Sequence, residues 1–258
     1  MAFLISEGLM ADMYKGDGAT RKSPAAILEV RNLTKRFGRL LAVNGLSFFI
    51  EEQKITGVIG PNGAGKTTLF NVITGVHHAD EGEVFYRGKD ITNLKSYQVA
   101  RTGIGRTWQL IRIFSKMTVM ENLLIASPSG GREQYSKAME LLELFGLVGE
   151  KDNYAGELSV GQQKILSIAR ILMFDADLML LDELAAGVNP AEQAIMMRHI
   201  HELCQKRGKT FLLIEHDMDL VMGHCDKVIC MNFGEKITEG PPQEVRSNKD
   251  VIEAYFGT

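Results

Sequence analysis

The sequence predicts an α/β fold with a parallel-strand core, an antiparallel N-terminal sheet and a helical insertion in the middle of the chain. Short apolar segments alternate with helical segments in the second half, which is typical of parallel βαβ units. One apolar segment leads through a glycine-rich loop into a helix, and the first half otherwise contains alternating segments joined by turn residues. Together these three patterns indicate two kinds of sheet in one chain.

The N-terminal half contains four predicted strands and one helix. AILEVRNLTKRF and LAVNGLSFFIEE are predicted strands, and we expect the first of them at a sheet edge. ITGVIG is continuously apolar, as in a short buried strand, and KTTLFNVITG has helical spacing and ends at a glycine. GEVFYRGKDIT alternates and then turns. This half is therefore expected to combine antiparallel strands with one strand–loop–helix unit.

The middle of the chain, from about residue 110 to residue 173, is predicted to be a helical subdomain. ENLLIA, YSKAMELLELFGL and SIARILM each place apolar residues at helical spacing. Because strands are predicted on both sides of this region, we expect it to be an insertion between two strands of the core.

The C-terminal half alternates strands and helices. The predicted elements are, in order, DLMLLDE, the helix PAEQAIMMRHIHELCQKRG, TFLLIEHD and KVICMNFG. No linker or internal repeat divides the sequence, so we expect one domain over residues 26–258. Residues 1–25 are expected to form a mobile N-terminal extension.

Composition and charge limit the class of function. The 258 residues are 45% hydrophobic with a net charge of −3, which allows a large core and disfavours a general nucleic-acid binder. The cysteines Cys204, Cys225 and Cys230 lack metal-binding spacing, and we expect reduced, buried thiols, as in cytosolic proteins. No segment has the roughly 18 to 20 apolar residues that span a bilayer. The N-terminus also lacks the basic start and apolar core of a signal peptide.

A phosphate-binding loop is predicted between Gly60 and Thr67. GPNGAGKT matches the pattern G-x-x-x-x-G-K-[ST] and lies after a predicted strand and before a predicted helix. Its glycines let the backbone N–H groups face phosphate oxygens, and the helix start adds partial positive charge. Lys66 can reach the β- and γ-phosphates, and the Thr67 hydroxyl can bind Mg²⁺. The predicted phosphate-binding residues are Asn62, Gly63, Gly65, Lys66, Thr67 and Thr68.

Two later strands end in polar residues at the same predicted sheet edge. Asp182 and Glu183 follow a strand, and a buried strand ends in two carboxylates only where something compensates their charge. A Mg²⁺ ion held by Thr67 and bound by Asp182, directly or through water, would compensate this charge. Glu183 is then the candidate general base. Ligands of open α/β sheets gather at C-terminal strand ends, so we expect His216, after the next strand, to contact the γ-phosphate rather than only to cap a helix.

The segment LSVGQ, residues 158–162, lies between the phosphate loop and the acid pair and opens a helix. Ser159, Gly161 and Gln162 have two interpretations. They form an ordinary helix cap, and they also resemble a second anion-binding helix start. A second phosphate site in one chain has a use if two subunits pair head to tail, with each nucleotide held between the phosphate loop of one and LSVGQ of the other.

The order of these motifs resembles that of the ABC ATPases, from about Leu28 to the end of the chain. LSVGQ is similar to the LSGGQ signature of that family, with Val160 in place of its first glycine. The resemblance implies the ABC ATPase fold, in which a P-loop core carries an antiparallel β-subdomain and a helical signature subdomain. It also implies ATP hydrolysis with Mg²⁺ and a head-to-tail pair of ATPase subunits, identical or different.

The resemblance also assigns roles to single residues. Phe37 falls where the family stacks an aromatic ring on adenine, with a core or edge-strand phenylalanine as the alternative. Gln109 matches the glutamine that senses Mg²⁺ and the attacking water. Asn189 stands where many relatives have an aspartate in a loop that contacts the partner subunit. Leu184 stands where a proline usually follows the acid pair, and leucine leaves that turn less constrained.

Several segments narrow the resemblance to one branch of the family. RTWQLIRIF, MTVMENLLIA, LAAGVNP and the tail GEKITEGPPQEVRSNKDVIEAYFG resemble the ATPase subunits of branched-chain amino acid importers. This implies uptake of branched-chain or related amino acids through separate membrane subunits, served indirectly by a solute-binding protein. The same segments also resemble those of urea or short-amide importers and of the lipopolysaccharide-export ATPase, which remain alternatives.

The loop after Gln109 is predicted to meet the membrane subunit. Ile111, Ile113, Phe114 and Met117 are apolar for a loop, which suits a groove for a coupling helix of a polytopic permease. The alternative is that these side chains close over the helical subdomain. On the first interpretation the chain lies in the cytoplasm, peripherally bound to the inner face of the cell membrane.

Two other classes of protein compete with this interpretation. A non-transport ABC protein usually contains a long coiled-coil insertion or two motor domains in one chain, and 258 residues hold neither. A P-loop kinase would transfer a phosphoryl group to a small acceptor and would not need Ser159. The transported solute never touches this subunit, so its identity stays open.

Overall fold

The computed structural model describes residues 26–127 and 131–256, and within these residues the chain forms two β-sheets surrounded by helices. The α/β architecture predicted from the sequence is confirmed. The expected extension over residues 1–25 lies outside the described residues.

The first sheet is antiparallel, with the order β2-β1-β4-β5. Its strands are β1 (Ala26–Phe37), β2 (Leu40–Glu51), β4 (Glu81–Tyr86) and β5 (Lys89–Asp90). The expectation that residues 26–37 form an edge strand is wrong, because β1 pairs with β2 on one side and with β4 on the other. Its polar residues, such as Arg31 and Asn32, are exposed within a central strand rather than along a sheet edge.

The second sheet has the order β10-β9-β3-β8-β7-β6, and all its pairs are parallel except β9 with β10. Its strands are β3 (Ile55–Ile59), β6 (Ile104–Arg106), β7 (Leu178–Asp182), β8 (Thr210–Ile214), β9 (Lys227–Asn232) and β10 (Glu235–Gly240). Every residue of β3, β7 and β8 is buried, because both faces of this sheet are covered.

Two cores lie on the two faces of the parallel sheet. Successive strand residues point to opposite faces, so Leu180 of β7 joins one core and Met179 and Leu181 join the other. The first core is shared with the antiparallel sheet and helix α1. The second core is shared with the helices that follow residue 118.

The sequence predicts some of the helices and not others. They are α1 (Lys66–Ile73), α2 (Ser96–Arg101), α3 (Val119–Leu124), α4 (Arg132–Phe145), α5 (Val160–Met173), α6 (Pro190–Arg207), α7 (Met218–His224), α8 (Pro242–Ser247) and α9 (Lys249–Phe256). Helices α1 and α3–α6 match predicted segments, whereas α2, α7, α8, α9 and the strands β6 and β10 were not predicted. No helix among residues 26–127 and 131–256 is long and apolar enough to cross a membrane.

Candidate functional site

The loop between β3 and α1 curls around the start of the helix. Gly65 has a φ of 98°, and a Cβ there would lie 2.1 Å from the carbonyl oxygen of Ala42, so only glycine fits. Lys66 is buried and donates hydrogen bonds to the carbonyl oxygens of Gly60 at 2.6 Å and Pro61 at 3.1 Å. Burial lowers the pKa of Lys66, and the negative charges of Glu183 and Asp182 oppose this shift.

A cleft of about 330 Å³ opens over this loop. Its lining consists of Leu40, Leu41, Ala42, residues 62–68, Glu183, His216 and Phe233. All six predicted phosphate-binding residues lie in this lining, together with two of the predicted catalytic residues. The cleft therefore combines a lysine, a run of loop N–H groups and a carboxylate, which suits binding and hydrolysis of a phosphate anhydride.

Asp182 lies at the end of β7 in a buried ion pair. It is 3% exposed, and its Oδ2 accepts a hydrogen bond from Arg106 at 2.9 Å. The other oxygen, Oδ1, is buried and has no hydrogen-bond partner among the described residues. Burial raises the pKa of Asp182 and lowers the pKa of Arg106, and the ion pair opposes both shifts. One oxygen of this carboxylate is thus free for a cation.

Glu183 follows β7 with a φ of 48°, in the left-handed region that non-glycine residues rarely adopt. Its two carboxylate oxygens have different partners. Gln109 Nε2 donates to Oε2 at 2.7 Å, and His216 Nε2 lies 2.8 Å from Oε1. The side chains of Gln109 and His216, from two separate loops, therefore meet at the carboxylate of Glu183, which lines the cleft.

The LSVGQ segment forms a complete helix cap at the start of α5. The Ser159 hydroxyl accepts a hydrogen bond from the Gln162 N–H at 3.2 Å, and the Gln162 side chain accepts one from the Ser159 N–H at 2.9 Å. The Ser159 hydroxyl also donates to Glu192 at 2.8 Å, while Gly161 is buried in the first turn. Within one chain, these residues line no part of the cleft over the phosphate loop.

Comparison with known proteins decides the family. The family model described as "ABC transporter" matches residues 43–186, more than half of the chain. This chain belongs to the ABC transporter family. It is an ATP-binding cassette of that family and an ATPase, as the motif order predicted.

Curated relatives of this ABC cassette align over nearly its whole length. The branched-chain amino acid transport ATP-binding protein BraF of Pseudomonas aeruginosa is 41% identical, with 90% of this chain and 98% of that protein covered. The probable protein LivG of Archaeoglobus fulgidus is 42% identical, with coverage of 90% and 95%. A second family model, described as "Branched-chain amino acid ATP-binding cassette transporter", matches residues 235–258. The resemblance inferred from the sequence is confirmed.

Solved structures of ABC cassettes share the fold. A nucleotide-free cassette from an ABC transporter is 38% identical and superposes with a TM-score of 0.84, covering 90% of this chain and all of that one. A cassette solved in an ADP conformation is 39% identical with the same TM-score, covering 90% and 99%. The ABC ATPase fold predicted from the sequence is confirmed.

Two residues assigned from the ABC resemblance lie away from the cleft lining. Phe37 ends β1, half-exposed, with its ring edge-on to His77 at 5.2 Å between centroids. It does not line the cleft, where Leu40 and Phe233 supply the large apolar surfaces, and Phe233 is 84% exposed. Asn189 is the N-cap of α6, and its side chain accepts a hydrogen bond from the Glu192 N–H at 3.0 Å.

Sequence reasoning gave no role to three buried charged residues beside the site: Arg106, Lys164 and Glu215. A signal existed for two of them. Lys164 occupies a position on the apolar face of α5, where a leucine or isoleucine would be usual. Glu215 directly follows the apolar strand β8, as Glu183 follows β7. Arg106 had no comparable signal, because its partner Asp182 is 76 residues away in the chain.

Proposed function

We propose that Glu183 is the general base of ATP hydrolysis and that Gln109 and His216 orient it. The observation that supports this most directly is the contact of both residues with the two oxygens of one carboxylate, at the mouth of the phosphate-loop cleft. In the mechanism, the carboxylate accepts a proton from the water that attacks the γ-phosphate. His216 and Gln109 would also contact the γ-phosphate and the attacking water.

The phosphates bind to the loop and the start of α1. The N–H groups of residues 62–68 and the Lys66 ammonium hold the phosphate oxygens, and the partial positive charge of the helix start adds to their effect. The Lys66 ammonium would exchange its contacts with the carbonyl oxygens of Gly60 and Pro61 for contacts with phosphate. Phe37 is proposed to contact adenine from the end of β1.

The residues present fit a Mg²⁺ ion. Asp182 keeps a buried oxygen without a hydrogen-bond partner among the described residues, and Thr67, in the first turn of α1, lines the cleft. No group of three or more His, Cys, Asp or Glu side chains forms a metal cage among the described residues, but Mg²⁺ bound with nucleotide needs only one or two carboxylates. Thr67, Asp182 and, through water, Gln109 would hold it. Bound there, Mg²⁺ would neutralise charge on the β- and γ-phosphates.

Two subunits, identical or related, are proposed to pair head to tail. Each chain carries the phosphate-loop cleft, and it also carries Ser159, Gly161 and Gln162 at the start of α5, where the Ser159 residue is exposed. ATP between the two would contact the closed pair better than the open one, so binding closes the pair and hydrolysis reopens it.

A groove beside the catalytic residues supports docking of a membrane subunit. It has a volume of about 510 Å³, and Trp108, Arg112, Ile125 and Arg170 are among the residues that line it. The Trp108 ring lies between the guanidinium groups of Arg106 at 4.4 Å and Arg112 at 3.9 Å. Arg106 also binds Asp182, so a helix seated in this groove would act close to the catalytic site.

None of the four apolar loop residues predicted to form a docking groove, Ile111, Ile113, Phe114 and Met117, lines this cavity. Ile113 packs against the core below the helices, which favours the alternative of closure over the helical subdomain for this residue. Phe114 is exposed, with the guanidinium of Arg170 over its ring at 5.1 Å. Phe114 therefore remains a candidate for the edge of the docking surface.

The proposed cargo is branched-chain or related amino acids, imported through polytopic permease subunits that receive them from a solute-binding protein. The names of the relatives and the match of the tail, residues 235–258, support this choice over urea or amide import and lipopolysaccharide export. The chain would then lie in the cytoplasm on the inner face of the cell membrane. The single domain proposed over residues 26–258, with its helical subdomain at about 110–173, agrees with this role.

One experiment tests the chemistry and another tests the partners. Glu183→Gln should lower the ATP turnover of the purified chain by about 10²- to 10⁴-fold, as expected for loss of a general base. Wild-type turnover in that variant would refute the assignment, and Glu202→Gln, at an ion pair with Lys206 on α6, is the control. Purification of the tagged chain from detergent-solubilised membranes should also recover a polytopic subunit, whose identity names the transported solute.

A further inference from the structure

The turn that follows β7, residues 183–186, is bound on one side by a buried lysine. Lys164 of helix α5 donates to the backbone carbonyl oxygens of Glu183 at 2.9 Å, Leu184 at 2.9 Å and Ala186 at 2.5 Å. An ammonium group has three N–H donors, so Lys164 uses its full capacity on this one turn. Lys164 is only 6% exposed.

A buried glutamate binds the same turn from the other side. Glu215, at the end of β8, is 4% exposed, and its Oε1 accepts a hydrogen bond from the Ala185 N–H at 2.9 Å. The neighbouring Leu184 N–H also acts on this carboxylate and partly offsets the rise of its pKa that burial causes. Three of the four carbonyl groups of the turn therefore bind Lys164 of α5, and the Ala185 N–H binds Glu215.

This turn needs external support. Glu183 has a φ of 48°, and a non-glycine residue keeps such a conformation only where its surroundings impose it. The next residue is Leu184, where related ATPases usually have a proline that would restrict the backbone. Leucine imposes no such restriction, so the fixed geometry of the turn has to come from residues outside it.

Neither charged group has another evident use. Lys164 and Glu215 line no part of the phosphate-loop cleft, and no salt bridge within 4 Å joins them to each other or to another described residue. Burial lowers the pKa of Lys164 and raises the pKa of Glu215, so an apolar pair would be the simpler way to fill this space. What a charged pair adds is directional hydrogen bonding to the turn.

We propose that Lys164 and Glu215 are positioning residues for catalysis, which fix the turn 183–186 so that the Glu183 carboxylate meets Gln109 and His216. The inference rests on the proposed role of Glu183 as general base. It also joins two parts of the molecule, because Lys164 is on the helix that begins with the LSVGQ segment. If that helix moved, the three hydrogen bonds of Lys164 would move the backbone of the turn 183–186, and with it Glu183.

The first test compares the steady-state kinetics of Lys164→Met with those of Lys137→Met in the full-length chain. Methionine keeps much of the length of lysine and removes its donors. Lys137 is a matched control, because its ammonium also binds a backbone carbonyl, that of Met173 at 3.2 Å, in the same group of helices. Lys164→Met should lower kcat about 10- to 100-fold, as for a misplaced catalytic group, with the KM for ATP within about twofold of wild type. Wild-type kcat in Lys164→Met, or an equal loss in Lys137→Met, would overturn the proposal.

A second test separates positioning from a general loss of structure. In a Glu183→Gln background, Lys164→Met should cause no further loss of kcat, because the group that Lys164 positions has already been removed. A further loss of the same size would mean that Lys164 acts by another route. If Lys164→Met fails to fold, Lys164→Arg and Glu215→Met, which removes the acceptor for the turn, are judged by the same loss of kcat at unchanged KM, and wild-type kcat in both overturns the proposal.

These outcomes also distinguish this inference from the proposed function. Full turnover in Glu183→Gln would refute the assignment of Glu183 as the general base. Lys164 and Glu215 would then have no catalytic group to position. Loss of turnover in Glu183→Gln together with wild-type kcat in Lys164→Met would refute the positioning role alone.

Discussion

The hydroxyl of Tyr255 accepts a hydrogen bond from the backbone N–H of Gly60 at 2.6 Å and so joins the last helix to the start of the phosphate loop. Gly60 is held on two further sides. Its carbonyl oxygen accepts a hydrogen bond from Lys66, and a Cβ at Gly60 would lie 2.1 Å from the carbonyl oxygen of Met231. Val251, buried on the same helix, anchors it to the core. Helix α9 therefore contributes to the shape of the nucleotide site.

We expect Tyr255→Phe to weaken ATP binding about fivefold. Phenylalanine keeps the ring and leaves the Gly60 N–H without its acceptor, at a cost of about 1 kcal/mol, which is about fivefold in Kd. Titration of ATP into the purified chain, followed by calorimetry, measures the change. Tyr97→Phe, on the exposed face of α2, is the control and should bind ATP as wild type does. Equal Kd values in all three proteins would mean that α9 has no part in shaping the loop.

The ion pair of Arg106 and Asp182 should be essential for stability. In Arg106→Met the Asp182 carboxylate would stay buried without a counter-charge, which typically costs about 3 kcal/mol or more. Denaturant unfolding at pH 7 measures this cost as a lower midpoint. Arg31→Met, which removes an exposed pair with Glu29 on the antiparallel sheet, should leave the midpoint unchanged. A midpoint for Arg106→Met equal to that of Arg31→Met would contradict the expectation.

How much of the fold could be predicted depended on how each strand is buried. Strands β3, β7 and β8 are covered on both faces, so they are continuously apolar and visible in the sequence. Strand β1 has one solvent-facing side, and its polar residues give it the sequence pattern of an edge strand, although pairing partners lie on both sides. Strand β6 has three residues, too few for any periodic pattern.

The site was predictable where a motif concentrates its residues in a few positions. The phosphate loop spans residues 60–67, and the acid pair follows directly on an apolar strand. Contacts between distant segments leave no such pattern. Tyr255 meets Gly60 across 195 positions of sequence, and Arg106 meets Asp182 across 76. Such partners become visible only when the fold brings them together.

Glu215 should make the stability of the fold depend on pH. Burial raises its pKa from 4.5 to about 7, against the opposing effects of the backbone N–H donors and the Lys164 charge, while the Glu183 charge adds to the shift. Between pH 4.5 and 7 the unfolded chain therefore loses this proton while the folded chain keeps it. The folded state is favoured at the acid end of this range, and the stability from this group falls as pH rises, by on the order of 3 kcal/mol.

The Glu215→Gln variant isolates this contribution, because glutamine keeps an acceptor for the turn and does not titrate. The difference in unfolding free energy between wild type and Glu215→Gln should change across pH 4.5 to 7 and level off above pH 7. Glu202→Gln, at a partly exposed ion pair with Lys206 on α6, serves as the control and should give a difference that does not follow this curve. A difference between wild type and Glu215→Gln that is constant over the whole range would show that Glu215 ionises normally.

The two interpretations of the LSVGQ segment predict different results for Ser159→Ala. As a helix cap, Ser159 contributes about 1 kcal/mol to the stability of α5, and alanine removes that contribution. As part of a composite site, it would also contact the γ-phosphate of an ATP molecule held by a partner subunit, so alanine would lower ATP turnover beyond any effect on folding. Stability and turnover have to be measured on the same variant.

Thr118 provides the matched control, because it caps α3 in the same way. Its hydroxyl accepts a hydrogen bond from the Glu121 N–H at 3.1 Å, and the Glu121 side chain accepts one from the Thr118 N–H at 2.8 Å. Ser159→Ala and Thr118→Ala should therefore lower the unfolding midpoint by similar amounts. Only Ser159→Ala should also lower turnover, and the loss should be greatest at protein concentrations that favour pairing. Equal turnover in the two variants would show that Ser159 acts only as a helix cap. The proposed head-to-tail pair would then lose its main support.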